Sequence, residues 1–301
     1  KIIVVDNNSV PESRKKLEEY EKMLGEKVKV LYFDENYGSA GGFKRGLEIA
    51  YNDPECDFIW LLDDDNKPLP NSLKNLINFF YSLKIENKEE KIALLSYRKN
   101  QISIYQIEEI IKQPKLILKV ENSFLNFHVK KIHNKVFRYL RRNIVKEGNL
   151  NIDQKTVKLT TATYGGLFVH KNILKKIGFP NEDFYLYVDD TEWTYRITKN
   201  GGSIYLVLDS IVEDLEPSWD KDAQKKSGIY SISKGEPHRI YYIVRNSVFF
   251  EVNNFVRKKW IYFLNIMVYL FLTLLFGNRN LKIIIKAIKD GYKGRLGKLD
   301  L

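Results

Sequence analysis

The fold is decided by residues 58–70, which read Phe-Ile-Trp-Leu-Leu-Asp-Asp-Asp-Asn-Lys-Pro-Leu-Pro. An apolar run stops at three consecutive carboxylates, and a proline-marked turn follows. We interpret this pattern as a strand that ends at a ligand site, since ligands collect at the carboxyl ends of strands in open α/β sheets. Carboxylate oxygens suit Mg²⁺ or Mn²⁺, which are usually held together with substrate phosphates. A solvated acidic loop is the alternative, but adjacent like charges repel one another unless a cation lies among them.

Strands and helices alternate on both sides of this stretch. The predicted strands span residues 2–5, 28–33, 58–62, 92–97, 160–170 and 201–207. The predicted helices span residues 11–24, 46–51 and 71–83, and a glycine-rich turn at 36–46 precedes the second helix. This order predicts an α/β fold with a mostly parallel, doubly wound sheet and helices on both faces.

Composition narrows the choice of partner. The 301 residues carry a net charge of +11, so we expect a negative partner: nucleic acid, an anionic membrane or a phosphorylated substrate. The single cysteine, Cys56, excludes an internal disulfide and a thiolate zinc cluster, which suits a reducing compartment. The chain opens with the strand-like Lys1-Ile2-Ile3-Val4-Val5, which indicates that further residues precede it.

Two segments suggest contact with a membrane. Residues 128–146 carry seven Lys or Arg and no acid, which is typical of a basic amphipathic helix on anionic lipid. A solvated helix packed on the domain is an equal alternative, and nucleic acid is less favoured because no binding motif accompanies the segment. Residues 260–276 lack any charge and have basic flanks, so we favour an interfacial or shallowly inserted helix over a membrane span or a buried core helix.

Two further motifs fall at predicted element boundaries. The segment 36–46, Asn-Tyr-Gly-Ser-Ala-Gly-Gly-Phe-Lys-Arg-Gly, is not a Gly-x-Gly-x-x-Gly fingerprint, but it permits close approach of phosphate to a helix N-terminus beside Lys44 and Arg45. A plain tight turn is the alternative. Asp189 and Asp190 begin a predicted helix inside an aromatic frame, where one carboxylate could act as a general base or could only cap the helix.

Taken in order, these motifs resemble the family 2 glycosyltransferases, which have the GT-A nucleotide-diphospho-sugar transferase fold. The resemblance covers about residues 1–210 and is closest to bacterial rhamnosyl- and galactofuranosyltransferases. The matching motifs are Val5-Asp6-Asn7-Asn8-Ser9, Asn36 to Gly42, Trp60-Leu61-Leu62-Asp63-Asp64-Asp65, Gly165-Gly166 and Phe184 to Asp190. The family's first strand, with its Thr-Tyr-Asn-like end, is missing. Glu213 or Asp214 stands where the family often has a metal-binding histidine.

The resemblance implies a role for each candidate residue. Asp190 would be the general base and Asp189 would orient a sugar. The implied donor-binding residues are Asp6, Asn36, Gly38, Gly42, Lys44, Arg45, Asp63, Asp64 and Arg245. The implied acceptor-binding residues are Trp193, Gly165 and Gly166, and the implied ligands of Mn²⁺ or Mg²⁺ are Asp63, Asp65 and Glu213.

The expected protein is an inverting, metal-dependent glycosyltransferase at the cytoplasmic face of the cell membrane. We expect it to move a rhamnose- or galactofuranose-like sugar from a UDP- or dTDP-sugar to a lipid-linked or polysaccharide acceptor. Residues 1–215 would form the catalytic domain, with a basic helical insertion at about 102–150, and residues 216–301 a helical, membrane-associating region. The alternatives are a magnesium phosphohydrolase or nucleotidyltransferase and a noncatalytic module that binds membrane or nucleic acid.

Overall fold

The computed structural model describes residues 1–102, 107, 121–131, 155–215, 235–275 and 280–299. The strands are β1 (Ile2–Asp6), β2 (Val28–Tyr32), β3 (Phe58–Trp60), β4 (Asn66–Pro68), β5 (Ile92–Tyr97), β6 (Thr156–Leu159), β7 (Leu167–His170) and β8 (Ser203–Asp214). The α-helices are α1 (Pro11–Leu24), α2 (Gly38–Asn52), α3 (Ser72–Ser82), α4 (Leu174–Ile177), α5 (Asp189–Lys199), α6 (Pro237–Asn254), α7 (Lys259–Leu275) and α8 (Leu281–Tyr292).

The strands form two sheets. β1 and β2 pair in parallel, and the larger sheet has the order β3-β7-β5-β8-β4, with β6 also paired to β8. Only β5 and β8 run parallel in the larger sheet as described; its other four pairs are antiparallel. The predicted α/β class is therefore confirmed, but the expectation of a mostly parallel sheet is wrong in this part of the chain. A strand buried on both faces shows the same apolar run in either direction, so its sequence does not fix its orientation.

Several predicted elements match closely. α1 and β5 have the predicted bounds, and α3 differs from its prediction by one residue at each end. The glycine-rich segment differs, because Gly38 already begins α2 instead of lying in a turn. Gly38 has a φ of +70°, and a Cβ at this position would overlap the carbonyl oxygen of Tyr185. Glycine is required there by both the backbone conformation and the close approach of the loop before α5.

The apolar side chains form a core around the larger sheet and a second cluster among the C-terminal helices. The sheet core contains Leu47 of α2, Leu95 of β5 and Trp193 of α5. In the second cluster, α6, α7 and α8 pack together with Phe124 and Phe127. The loop of residues 185–187, which leads into α5, also packs against this cluster, so the C-terminal helices contact the segment that positions Asp189 and Asp190.

The structure describes most of one predicted membrane segment, residues 260–276, and little of the other, residues 128–146. The apolar segment forms α7, and none of the helices that the structure describes is long and apolar enough to cross a membrane. Most of the basic helix predicted at 128–146, and most of the insertion predicted at about 102–150, lie outside the described residues.

Candidate active site

Three charged side chains meet at one edge of the larger sheet. Asp63 comes shortly after β3, Arg98 directly follows β5, and Asp214 is the last residue of β8. The Arg98 guanidinium joins both carboxylates, because Nε donates to Asp214 Oδ1 at 2.7 Å and Nη1 donates to Asp63 Oδ2 at 3.2 Å. The sheet thus gathers the ends of separate strands into one charged cluster.

Asn66 and Gly165 complete this strand-end cluster. The Asn66 amide donates to Asp65 Oδ1 at 2.9 Å and to Asp214 Oδ1 at 3.2 Å. A Cβ on Gly165 would overlap Arg98 and Asp63, so glycine lets the polypeptide pass directly against the two charges. Gly165, predicted to bind acceptor, therefore lies against the Asp63 side of the site.

Electrostatics of the strand-end cluster favour a cation. Burial raises the pKa of Asp65, and the neighbouring Asp214 carboxylate raises it further. Burial also raises the pKa of Asp63, although Arg98 opposes this shift. Within the described residues, Oδ2 of Asp214 is buried without a hydrogen-bond partner. The cluster therefore holds more negative charge than Arg98 alone compensates.

The oxygen ligands of the strand-end cluster fit a hard divalent ion, although the described residues form no complete metal cage. Among the residues that the structure describes, no three or more His, Cys, Asp or Glu side chains are grouped closely enough to hold a metal by themselves. Mg²⁺ and its analogues usually need only one or two carboxylates, since substrate phosphates and water supply the other ligands. Asp65 and the unpartnered oxygen of Asp214 satisfy this requirement, with Asp63 beside them.

Asp214, and not the predicted Glu213, joins the strand-end cluster. β4 and β8 pair so that Asn66 lies opposite Asp214 and Lys67 opposite Glu213. Successive side chains of a strand point to opposite faces, so only one of the two acids can face Asn66 and Arg98. Glu213 is exposed, whereas the Asp214 side chain is buried.

The second acidic pair begins α5. Asp189 is 3% exposed and accepts a hydrogen bond from the Ser39 hydroxyl at 2.8 Å, which ties it to the N-terminus of α2. Burial, and then the charge of Asp190, raises the pKa of Asp189 to about 7. Burial raises the pKa of Asp190 to about 6, and the charge of Asp63 adds to this shift. The two acidic pairs are also joined by neighbouring residues, because Gly165 lies against Asp63 and the ring of Tyr164 packs on Trp193 of α5 with ring centroids 5.8 Å apart.

These raised pKa values predict opposite effects of pH on activity and stability. A general base must be ionised, so turnover should rise as pH increases through the range of about 5 to 7, above the ordinary carboxylate range. The folded state binds protons more tightly than the unfolded state there, so this pair should reduce stability as pH rises. We expect the stability advantage of Asp190→Asn over the wild type to grow from about pH 4 to about pH 7 and then to level off, measured by thermal unfolding. A pH-independent difference between the two proteins would contradict the raised pKa.

Two predicted donor-binding regions are held by protein contacts. Asp6 is buried, accepts from the Ser9 N–H at 3.1 Å and forms an ion pair with Arg14 at 2.6 Å. Lys44 and Arg45 form ion pairs with Glu182 at 2.8 and 3.0 Å. These contacts hold the β1 turn and the start of α2 in place, whereas the prediction assigned the side chains to nucleotide and phosphate.

The remaining predicted donor-binding residues differ in exposure. Asn36 accepts from the Gly38 N–H at 2.8 Å, and Gly42 packs beside Asn7 within α2. Asp64 is exposed next to the strand-end cluster.

Gly166, predicted to bind acceptor, has a φ of +90°. Its carbonyl accepts from the backbone N–H of Ser96 at 2.9 Å, so Gly166 holds β7 to β5.

The structure corrects two predicted ligand contacts. Trp193 is fully buried, and its Nε1 donates to the Gly178 carbonyl at 2.9 Å, so its ring cannot form a wall for a sugar without unfolding the core. Arg245 is 1% exposed and donates to the carbonyl of Phe184 at 3.0 Å and to that of Gly297. Its guanidinium binds backbone and does not face a diphosphate. Aromatic and basic residues near a motif look the same in sequence whether they face ligand or core.

Sequence reasoning missed four contributors to the site: Ser39, Asn66, Arg98 and Asn246. Arg98 offered a usable signal, because it directly follows the predicted strand 92–97 and thus lies at the functional edge of the sheet. Asn66 offered a weaker one, as part of the acidic stretch. Ser39 and Asn246 carried no local signal, since their partners are distant in the chain: Ser39 and Asp189 are 150 positions apart.

Two acidic pairs at the strand ends of an α/β sheet agree with what the motif resemblance to the family 2 glycosyltransferases implies. Residues 1–148 match the family model described as "Glycosyl transferase family 2", which confirms the predicted fold class and the predicted enzyme class. No curated protein matches the chain.

Solved structures of similar shape include two proteins. The chain is 13% identical to GalNAc-T7, crystallised with UDP, GalNAc and Mn²⁺, with a TM-score of 0.49 over 83% of this chain and 41% of the other. It is 15% identical to TarS of S. aureus, with a TM-score of 0.43 over 85% of this chain and 38% of TarS. For the TarS fragment 1-349, the identity is 14% and the TM-score 0.44, over 100% of this chain and 84% of the fragment. The chain thus spans less than half of the two longer proteins, and at these TM-scores their functions are not transferred to it.

Proposed function

We propose that this chain is an inverting, metal-dependent glycosyltransferase that uses a nucleotide-diphosphate sugar. One observation carries the proposal: residues 164 and 165 connect the two acidic pairs, because Gly165 lies against Asp63 and the ring of Tyr164 packs on Trp193 of α5, with ring centroids 5.8 Å apart. A site of this kind can bind a metal-diphosphate group on one side and generate a nucleophile on the other.

The residues divide between these two tasks. Asp65 and Asp214, with Asp63 beside them, would hold Mn²⁺ or Mg²⁺, and the bound ion would neutralise charge on the departing diphosphate. Asp190 accepts the proton of the acceptor hydroxyl, because its raised pKa brings the carboxylate closer to the operating pH of a general base. Asp189, fixed by Ser39, orients the reacting groups. Direct displacement by the activated hydroxyl inverts the anomeric centre.

The finer assignments rest on the motif resemblance and on the chemistry of the C-terminal helices. We propose a UDP- or dTDP-sugar donor carrying a rhamnose- or galactofuranose-like sugar. We propose a lipid-linked or polysaccharide acceptor at the cytoplasmic face of the membrane, because α7 is mainly apolar after its first residue and α8 carries lysines among its apolar side chains. Nucleic acid is not proposed as a partner. A phosphohydrolase of the haloacid-dehalogenase type would need an Asp-x-Asp-Gly-Thr pattern, whereas this chain has Asp63-Asp64-Asp65-Asn66-Lys67.

Nucleotide binding tests the proposal directly. Thermal unfolding is measured with UDP, dTDP, GDP and ADP, each with and without Mn²⁺. We expect UDP or dTDP with Mn²⁺ to raise Tm by roughly 3–6 °C at about a hundredfold excess over Kd. Asp65→Ala should abolish the Mn²⁺-dependent part of this shift, because it removes a metal ligand.

Asp57→Ala is the matched control, since Asp57 is exposed at the opposite end of β3 and no role in donor or metal binding is assigned to it. It should retain the shift. If no nucleotide stabilises the wild-type chain with either Mn²⁺ or Mg²⁺, or if Asp65→Ala responds like the wild type, the metal-dependent transferase proposal fails.

A further inference from the structure

α7 is apolar on its exposed side as well as on its buried side. Its buried side packs on the C-terminal helices through Tyr262, Ile266 and Tyr269. Its exposed side carries seven large apolar side chains, each at least 46% exposed: Trp260, Phe263, Leu264, Met267, Phe271, Leu274 and Leu275. Packing within the described chain thus leaves one whole apolar face of this helix exposed.

The exposed side chains form one continuous stripe. Their spacing of three, four and seven residues places them on a face about 120° wide, opposite the buried residues. Soluble proteins seldom expose contiguous apolar surface of this kind unless it meets a partner or a membrane. Scattered exposed residues would need no such explanation, but a stripe along the whole helix does.

A row of lysines lies beside this stripe. On α8, Lys282, Lys286 and Lys289 share one exposed face with Ile285, as their spacing of three and four residues requires. The ring centroids of Phe263 and Tyr292 are 5.6 Å apart, and this contact joins the α7 stripe to the C-terminal end of α8. We name the seven apolar residues of α7 and these four residues of α8 the α7–α8 face.

Acidic side chains are almost absent from this region. From residue 257 to residue 299 the sequence contains one acid, Asp290. Asp290 is 8% exposed, accepts from the Tyr241 hydroxyl at 2.9 Å and pairs with Arg295 at 3.1 Å. The charge that the α7–α8 face presents to a partner is therefore positive, which complements an anionic surface and opposes stacking of two copies of the same basic face.

The length of α7 decides how it would meet a bilayer. Its 17 described residues extend about 25 Å, which is shorter than the hydrocarbon core of about 30 Å. One side is already occupied by protein. A helix with these properties lies in the plane of the membrane interface with one face in contact with lipid.

We propose that the α7–α8 face docks on an anionic lipid bilayer, with the apolar stripe in the headgroup boundary and the lysines on lipid phosphates. Docking rests on the proposed function in one respect only, the expectation of a lipid-linked acceptor. Docking would hold the catalytic domain at the surface where such an acceptor is found. The contacts between α6 and the loop of residues 185–187 connect the docking helices to the site.

Flotation with lipid vesicles tests this proposal on the full chain. Vesicles of phosphatidylcholine alone are compared with vesicles that also contain phosphatidylglycerol. We expect tight binding to the anionic vesicles only. The double variant Phe271→Ser/Leu274→Ser should lower affinity at least tenfold, since about two buried apolar side chains are lost. The triple variant Lys282→Gln/Lys286→Gln/Lys289→Gln should lower it by up to about fivefold per lysine.

Matched controls separate docking from general surface effects. Leu73→Ser/Tyr81→Ser removes two exposed apolar side chains from α3, and Lys15→Gln/Lys16→Gln removes two exposed lysines from α1. Both should bind vesicles like the wild type. The proposal would be overturned if the control variants lost as much vesicle affinity as the docking variants. It would also be overturned if the wild type did not bind anionic vesicles. A third result would also overturn it: the wild type sediments as a dimer and the Phe271→Ser/Leu274→Ser variant as a monomer. The α7–α8 face would then join two copies of the chain.

The Mn²⁺-dependent nucleotide shift is measured on the same variants. The docking variants should keep it, since they lie outside the catalytic site. If a docking variant loses vesicle binding but keeps the nucleotide shift, only docking has been removed. If the wild type shows no nucleotide shift, the proposed transferase function is rejected.

Discussion

Replacing Asp190 with asparagine is expected to lower sugar transfer by at least a factor of about 100 while leaving donor binding intact, because general base catalysis typically contributes 10²–10⁴-fold. The asparagine amide has the shape of the carboxylate but cannot accept a proton. Asp190 also lies at the start of α5, where its backbone is held by the helix, so the substitution leaves the fold in place. Turnover is measured with the donor that the nucleotide panel identifies.

Asp183→Asn is the control for this variant. Asp183 is an exposed acid in the loop that leads toward α5, and no catalytic role is assigned to its side chain. It should retain wild-type turnover. An Asp190→Asn protein that turns over normally would remove Asp190 from the mechanism, and one that also loses the Mn²⁺-dependent nucleotide shift would indicate a role in donor binding.

Removing the side chain of Asn246 is expected to damage both stability and catalysis, although Asn246 does not lie among the acidic residues. Its Nδ2 is within hydrogen-bond distance of the carbonyls of Phe184, Leu186 and Tyr187, at 2.9, 2.8 and 2.8 Å. These carbonyls lie two to five residues before Asp189 in the chain. Asn246 is fully buried, so its contacts decide the path of the loop that sets the position of both carboxylates.

The backbone of this loop cannot hold its conformation alone. Tyr185, Tyr187 and Val188 have φ values of 64°, 64° and 66°, a region that side-chain-bearing residues adopt only when surrounding structure enforces it. Arg245 adds a second clamp by donating to the Phe184 carbonyl at 3.0 Å. The loop before α5 is therefore held by α6, which is part of the C-terminal helical cluster.

We expect Asn246→Ala to reduce the free energy of unfolding by about 2–4 kcal/mol, because buried carbonyls lose their donor. Turnover should fall at least tenfold at a temperature where the variant is fully folded, since small displacements of catalytic groups are costly. Asn253→Ala, an exposed asparagine on the same helix, should change stability by less than about 0.5 kcal/mol. Wild-type turnover by folded Asn246→Ala would show that the clamp serves stability only.

Local patterns in the chain predicted the elements and the acidic parts of the site. The aspartate stretch after β3 and the pair at the start of α5 lie where the sequence placed them. The Glu213 assignment shows the limit of this reasoning, because choosing between adjacent acids requires the register between β4 and β8. That register joins residues almost 150 positions apart, and no local pattern encodes it.

The sequence by itself determined the strand–helix order, the acidic strand end and the basic, apolar C-terminal region. It could do so because periodicity, glycine placement and runs of like charge are properties of neighbouring residues. The tertiary structure decided strand direction, the burial of Trp193 and Arg245, and the partners of each aspartate. The reason is physical: burial and pairing depend on groups brought together by folding, such as Arg98 and Asp214, which are 116 positions apart.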